Sequence, residues 1–274
     1  MPELPEVETV RRGLEPLLIG RKINRIVIDE TRLRYPVAEQ EFIRTLVGTT
    51  IKKIERRGKY LLIACGARTT LLSHLGMTGR FQFCSPQTAK ALHTHATFFL
   101  SGRQELRYID PRRFGMLESV ANDRLQQHPL LCNLGPEPLC SAFDADYLHA
   151  KCRKRQRPIK NFIMDANIVV GVGNIYASEA LHLSGIHPHR AAGRLSRERI
   201  DLLVAAIKGV LDRAIKVGGT TLRDFLDPSE EAGYFAIKLT VYDREGEPCK
   251  TCEVPIRRSI QSNRSTFYCP KCQR

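Results

Sequence analysis

Four of the nine cysteines fall near the carboxyl end as CKTC at 249–252 and CPKC at 269–272, two C-x2-C pairs with sixteen residues between them. Paired thiolates on tight turns converge as a tetrahedral S4 set suited to Zn²⁺, and a tail this short has little else to hold it together. The alternative, two disulfides, needs an oxidising compartment for which the chain gives no sign. Between the pairs runs PIRRSIQSNRSTFY, basic and β-prone, so the metal is expected to frame a hairpin that carries Arg264 to a phosphate. Cys65, Cys84, Cys132, Cys140 and Cys152 lack ligand spacing and read as ordinary buried or semi-buried thiols.

The other reactive cluster lies at the amino end, in MPELPEVETV. Helix-start chemistry, with proline in the first turn and acids near the positive end of the dipole, accounts for Pro5, Glu6 and Glu8. It does not account for Pro2-Glu3. Removal of Met1, expected before a small second residue, leaves Pro2 as a free secondary amine. A free α-amino group has a reference pKa near 8 against about 10.4 for lysine, so its uncharged fraction near neutral pH is larger by roughly a hundredfold. Such an amine can attack C1′ of a deoxyribose. The cationic iminium that results acidifies the neighbouring carbon and favours elimination of the 3′ phosphate. Glu3 can move protons on the sugar, and Glu6 can orient that carboxylate or the amine.

Charge narrows the partner. The 274 residues carry a formal net charge of +14 and a pI near 9.6, which points to a polyanion, nucleic acid first and an anionic membrane surface second. No apolar run approaches the length of a membrane span and the first residues do not read as a signal peptide, so a cytosolic protein is expected. KCRKRQRPIK at 151–160 has six basic residues and no acid, and reads either as a solvated helix face or as a phosphate contact. GVGNIYASEALHLSG places Asn174 and two glycines before a helix, which serves a plain cap or an anion at the helix amino terminus. The turns HLGMTG, with Met77, and DPRRFG, with Arg112 and Phe114, have core-facing side chains as their ordinary reading. If they protrude together they form a wedge that fills the gap left by an extruded nucleotide.

The elements that must position these groups divide the chain. Val7, Val10, Leu14, Leu17 and Leu18 have helical spacing over residues 5–18. From about 23 to 120, short β-branched and aromatic runs broken by Gly and Pro predict an all-β lobe, a sandwich. After LGPEPL at 134–139 the pattern predicts helices at 144–154, 174–184 and 196–217. The last 35 residues lose helical period.

The blocks PELPEVETVRRGLEP, RRGKYLL, HLGMTG, DPRRFG, LGPEPL, VVGVGNIYASEAL, GIHP, GGTTLRDF, GEPC and the C-x2-C pairs, in this order from residue 2 to residue 272, resemble bacterial formamidopyrimidine-DNA glycosylase. The resemblance implies an α+β chain: an N-terminal β-sandwich lobe with an amino-terminal helix, a helix-two-turn-helix lobe, and a β-hairpin zinc finger, divided at 1–133, 134–237 and 238–274. It implies a base-excision repair enzyme that removes oxidised purines and cleaves the abasic site by β,δ-elimination. The implied partner is damaged double-stranded DNA, the implied cofactor one structural Zn²⁺ on Cys249, Cys252, Cys269 and Cys272. A monomer in the bacterial cytoplasm, associated with the nucleoid, is expected. By position, Pro2 becomes the Schiff-base nucleophile, Glu3 the proton donor, Lys59 the β-elimination lysine and Arg264 the δ-elimination arginine. Met77, Arg112 and Phe114 match the wedge. His93, Arg155, Lys160 and Asn174 match DNA-backbone contacts, and 219–235 matches a lesion-capping loop whose middle, LDPSEEA, departs from the pattern. Without the resemblance, Lys59 reads as a solvent-facing strand residue. Two alternatives stay in view: an endonuclease VIII-like glycosylase for oxidised pyrimidines, and a zinc-containing DNA-binding protein without activity.

Overall fold

The structure, a computed structural model, describes residues 2–218 and 239–274. The expected lesion-capping stretch, 219–235, and the expected boundary at 237–238 lie outside the described residues. Two compact units are present, the first running to Cys132 and the second containing Asn133–Lys216 and the described carboxyl-terminal residues.

The first unit opens with α1 (Leu4–Leu18), in which Leu4, Val7, Val10, Leu14 and Leu18 are buried as the spacing predicts. Pro5 stands in the first turn, where its missing N–H is not needed. Eight strands follow: β1 (Ile23–Ile28), β2 (Ile51–Arg57), β3 (Tyr60–Cys65), β4 (Thr69–His74), β5 (Arg80–Cys84), β6 (Thr94–Leu100), β7 (Gln104–Ile109) and β8 (Met116–Ala121). They form two antiparallel four-stranded sheets, ordered β1-β6-β7-β5 and β2-β3-β4-β8. In β3 the alternation sends Leu61, Ile63 and Cys65 into the main core, where they meet Phe98, Leu106 and Tyr108. The 23–120 region is not purely β, because α2 (Glu39–Leu46) interrupts it. Eight residues with Phe42 and Leu46 as the buried pair are too few to display a helical period in sequence.

One ion pair ties α1 to the sheet. The Glu8 carboxylate accepts from Arg56 Nε of β2 at 3.0 Å and from Arg11 and Arg12 of its own helix. Both side chains of the Glu8–Arg56 pair are nearly buried. Burial works against ionisation of Glu8, but hydrogen bonds and charge from the guanidinium groups outweigh it and hold the carboxyl below its ordinary range.

In the second unit α3 (Ala145–Cys152), α4 (Ile159–Ile163), α5 (Asn174–Leu183) and α6 (Arg197–Gly218) pack around Leu148, Ile163, Ala177, Leu181, Leu203 and Ile207. The basic run 151–160 is not one helical face. Its α3 portion stops at Cys152, Lys154 adopts φ 58°, and Pro158 keeps Arg157 out of the helical region before α4 begins. Antiparallel β9 (Arg257–Gln261) and β10 (Arg264–Tyr268) form a hairpin whose two turn residues, Ser262 and Asn263, both have positive φ, the twist a two-residue turn requires.

Replacing Glu8 by Gln is expected to cost about 2–3 kcal/mol in urea unfolding near neutral pH, because three guanidinium groups lose their carboxylate. A carboxyl with a lowered folded pKa stabilises above its ordinary pKa and loses that contribution as pH falls through the lowered value. The gap between the two proteins should therefore close in acid.

Candidate active site

Glu3, 2% exposed, is the N-cap residue of α1, in extended conformation. Its N–H donates to Glu6 Oε2 at 2.8 Å, the reaching-back half of a capping box. Glu6 therefore orients the backbone that carries Glu3, and half-buried Pro2 precedes that fixed point. Lys59 is in a turn, not on a strand face: Arg57 pairs with Tyr60 across the two-residue link Gly58-Lys59, with Gly58 at φ 57°. Arg56, already held by Glu8, donates its other guanidinium arm to Gly58 C=O at 2.9 Å. Helix α1 and the turn carrying Lys59 are thus anchored on the same pair.

At this end of the sheets β4 runs through His74 into HLGMTG. Neither Met77 nor Phe114 follows the core-facing reading, being 38% and 46% exposed. Their turns pack backbone to backbone. A Cβ on Gly76, itself at φ 62°, would lie 2.4 Å from the Phe114 carbonyl carbon, so only glycine fits. The Arg112 guanidinium lies 4.8 Å over the Phe114 ring, a cation–π contact that stiffens the exposed aromatic. His93, exposed and at φ 64°, is held next to this turn by its C=O, which accepts the Asp110 N–H at 3.1 Å.

His74, on which sequence reading placed no role, stacks against Tyr60 with ring centroids 5.0 Å apart and accepts the Gly76 N–H on Nδ1 at 2.9 Å. Burial, then the nearby charges of Lys59 and Arg34, push its pKa down to about 4. A neutral ring is what the Gly76 bond requires, since Nδ1 accepts only when unprotonated.

In the second unit, Lys160, which the resemblance matches to a DNA-backbone contact, is held inside the protein. It is 1% exposed, and its ammonium donates to Asn174 Oδ1 at 2.6 Å, Thr266 Oγ1 at 2.7 Å and Ser265 C=O at 3.1 Å. A buried ammonium must spend its donors inside the protein, and here it binds α4 to α5 and β10. Asn174 Nδ2 also donates to Ser265 C=O at 2.9 Å, so the amide that opens α5 is fixed by the hairpin. Gly173, not Asn174, is the N-cap residue. Arg155 is exposed on a bend whose backbone is bonded to Gly193 at 2.8 Å. Arg264 is exposed at the start of β10 and lines a cleft of about 190 Å³ with Arg157, Lys160, Asn161 and Gln261.

The Sγ atoms of Cys249, Cys252, Cys269 and Cys272 all lie within 4.8 Å of one another. The Cys252–Cys269 and Cys249–Cys272 pairs are 3.4 and 3.9 Å apart, bracketing the edge of about 3.8 Å that a tetrahedron with Zn–S bonds of about 2.3 Å demands. N–H groups of Thr251 and Cys272 point at Cys249 Sγ and Cys269 Sγ, as thiolates need. The four are positioned to bind one zinc ion. Of the other cysteines, Cys65 and Cys152 are buried and Cys84 half-buried, but Cys132 and Cys140 are exposed, contrary to expectation. They sit in the segment between β8 and α3, outside any strand or α-helix. Also missed was Glu179 on α5, buried and accepting from Thr240 N and Oγ1, Val241 N and Tyr242 N, which pins the start of the cysteine-bearing segment. A carboxylate inside the apolar run YASEAL was its signal.

Three family models match: the formamidopyrimidine-DNA glycosylase N-terminal domain over residues 1–117, its H2TH domain over 134–226, and the zinc finger found in FPG and IleRS over 246–274. The chain is 50% identical over 274 residues to the formamidopyrimidine-DNA glycosylase of Thiobacillus denitrificans, with 100% of both chains covered. It is similar, at a TM-score of 0.91 and 36% identity over 99% of each chain, to a Lactococcus lactis FPG mutant in complex with a Fapy-dG containing DNA. At a TM-score of 0.90 and 36% identity over 100% of each chain it is similar to MutM in complex with carbocyclic 8-oxo-G containing DNA. Among the described residues, no helix is long and apolar enough to cross a membrane.

Elemental analysis of the purified chain should find one zinc per molecule, and Cys269→Ser should release it and disorder the β9–β10 hairpin. For His74, an NMR titration should show a neutral ring throughout the range in which an ordinary histidine takes up its proton. A lowered folded pKa gives stability that is full above the ordinary value and is lost as pH falls towards about 4. His74→Asn, which keeps an acceptor for Gly76, should lose stability less steeply than the wild type over that window.

Proposed function

This chain belongs to the formamidopyrimidine-DNA glycosylase family, and from that premise we propose that it excises oxidised purines, formamidopyrimidines and 8-oxoguanine, from duplex DNA and then cleaves the abasic site. The observation that carries the reading is the pairing of Pro2 with a buried, backbone-locked Glu3 at the start of α1. With Met1 removed, the Pro2 nitrogen attacks C1′ of the extruded nucleotide, and the base leaves with the proton that the amine gives up, a departure driven by protonation of the ring oxygen. Glu3 supplies the proton that opens the sugar ring, leaving an iminium between Pro2 and C1′. Loss of a C2′ proton to a nearby base expels the 3′ phosphate, and loss of a C4′ proton expels the 5′ phosphate. Lys59 serves the first elimination and Arg264 the second, each as a cation beside a departing phosphate.

Met77, Arg112 and Phe114 fill the gap in the duplex, and their exposure on two mutually packed turns supports that use. His93, Arg155 and Asn174 hold the DNA backbone. Lys160 acts through Asn174, whose side-chain oxygen it holds. The zinc ion frames the hairpin carrying Arg264. The working division is 1–133 for the catalytic lobe, 134–237 for the helix-two-turn-helix lobe and 238–274 for the finger. The site of action is the bacterial cytoplasm, at the nucleoid.

Borohydride trapping on an 8-oxoguanine duplex, read by mass spectrometry, tests the nucleophile. The adduct should map to Pro2, and a preparation that retains Met1 should bind DNA without forming one, since its Pro2 nitrogen is a tertiary amide. Glu3→Gln should slow base release by roughly a hundredfold or more. An adduct on Lys59 from the Met1-retaining chain would overturn the reading.

A further inference from the structure

Two turns far apart in the sequence must present Met77 and Phe114 together, and one carboxylate joins them. Asp110, directly after β7, has no exposed surface. Its Oδ1 accepts the Thr78 hydroxyl at 2.6 Å and its Oδ2 accepts the Gly115 N–H at 2.8 Å. Those donors are the residues immediately following Met77 and Phe114. Thr78 Oγ1 in turn accepts the Arg112 N–H at 3.3 Å. The main chain of Asp110 extends the same junction, because its C=O accepts the Arg113 N–H at 3.1 Å and bonds His95 Nε2 at 2.7 Å. Its own N–H reaches His93 C=O at 3.1 Å. Met77 and Phe114 are each one residue from a group bonded to the Asp110 carboxylate, while Arg112 and His93 join the same junction through their backbones.

The surroundings admit only glycine at positions 79 and 115. The buried Tyr108 hydroxyl donates to His74 C=O at 3.3 Å and lies 1.7 Å from where a Gly115 Cβ would stand and 2.6 Å from a Gly79 Cβ. A buried carboxylate is costly unless its oxygens are satisfied, and here each oxygen is satisfied by a different turn. An amide of the same shape has one acceptor only. Gly115 N–H cannot accept, so the amide nitrogen must face Thr78 and turn that hydroxyl's proton away.

We propose that Asp110, acting through Thr78 and Gly115, is a positioning residue that fixes Met77 and the Arg112–Phe114 pair as one wedge for entry into the base stack. This rests on the wedge role given to those side chains above. The junction is made entirely of this chain's own groups, so the wedge is held by the fold and its ordering is not charged against binding.

The test compares Asp110→Asn, Thr78→Val, Thr78→Ser and Met77→Ala in the full chain, with thermal unfolding recorded for each. Single-turnover excision from an 8-oxoguanine duplex is measured beside cleavage of a pre-formed abasic site, and 2-aminopurine next to the lesion reports unstacking. Asp110→Asn and Thr78→Val should slow excision about tenfold and blunt the 2-aminopurine signal, with abasic cleavage changed less than about twofold, because an abasic site needs less unstacking. Thr78→Ser should restore excision, since it keeps the hydroxyl. If Asp110→Asn fails to fold, the two Thr78 variants decide. Selective loss in Met77→Ala with none in Thr78→Val overturns the positioning role and leaves the wedge intact. No selective loss in Met77→Ala overturns the wedge role itself, and the positioning role with it.

Discussion

The pair formed by Glu8 and Arg56 connects the amino-terminal helix to the hairpin beside it, and Arg56 passes the constraint on to the turn that carries Lys59. An amino terminus is ordinarily the part of a chain most free to fray, because few contacts order it. Here the opposite is needed: an amine at residue 2 does chemistry only if its position is set. Burial of Leu4 and Val7, the Glu3–Glu6 cap and the Glu8 anchor together convert the first turn of α1 into a rigid mount.

The same device recurs. Glu8, Asp110 and Glu179 are buried carboxylates: Glu8 and Asp110 each accept from two separate stretches of chain, and Glu179 accepts from three consecutive residues, Thr240, Val241 and Tyr242. Glu8 anchors the start of α1 and the turn with Lys59, Asp110 joins the two turns that bear exposed Met77 and Phe114, and Glu179 holds the segment that leads into the cysteine quartet. Lys160 is the cationic counterpart, a buried ammonium that fixes Asn174 and the hairpin with Arg264 at its start. Buried charge of this kind adds little net stability compared with apolar packing, but leaving one partner unpaired is expensive, so it specifies geometry. In a molecule of net charge +14, each carboxylate held inside also leaves one acid fewer on the surface offered to DNA.

What was legible in the sequence follows from how local each constraint is. The zinc quartet was readable because ligand spacing on a turn is a property of four consecutive residues, and α1 because its apolar spacing repeats over fifteen. The turn sequences around Met77 and Phe114 were readable as turns, but not as exposed, since exposure depends on Gly76 meeting the Phe114 backbone. The burial of Lys160 was not legible because its partners Ser265 and Thr266 lie more than a hundred residues away, and a basic run gives no hint that one member points inward. Asp110 looked like a turn residue, and its link to Thr78 exists only in the folded sheet. The helix α2 was hidden by its brevity.

The central claim is that an amino-terminal proline, mounted on a capped helix, forms the covalent bond to the sugar. A crystal structure of the borohydride-reduced complex with an 8-oxoguanine duplex tests it most directly. The account predicts continuous density from the Pro2 nitrogen to C1′ of the extruded nucleotide, with the Glu3 carboxylate beside that sugar. Density joining C1′ to Lys59 Nζ, with Pro2 turned away, would contradict it.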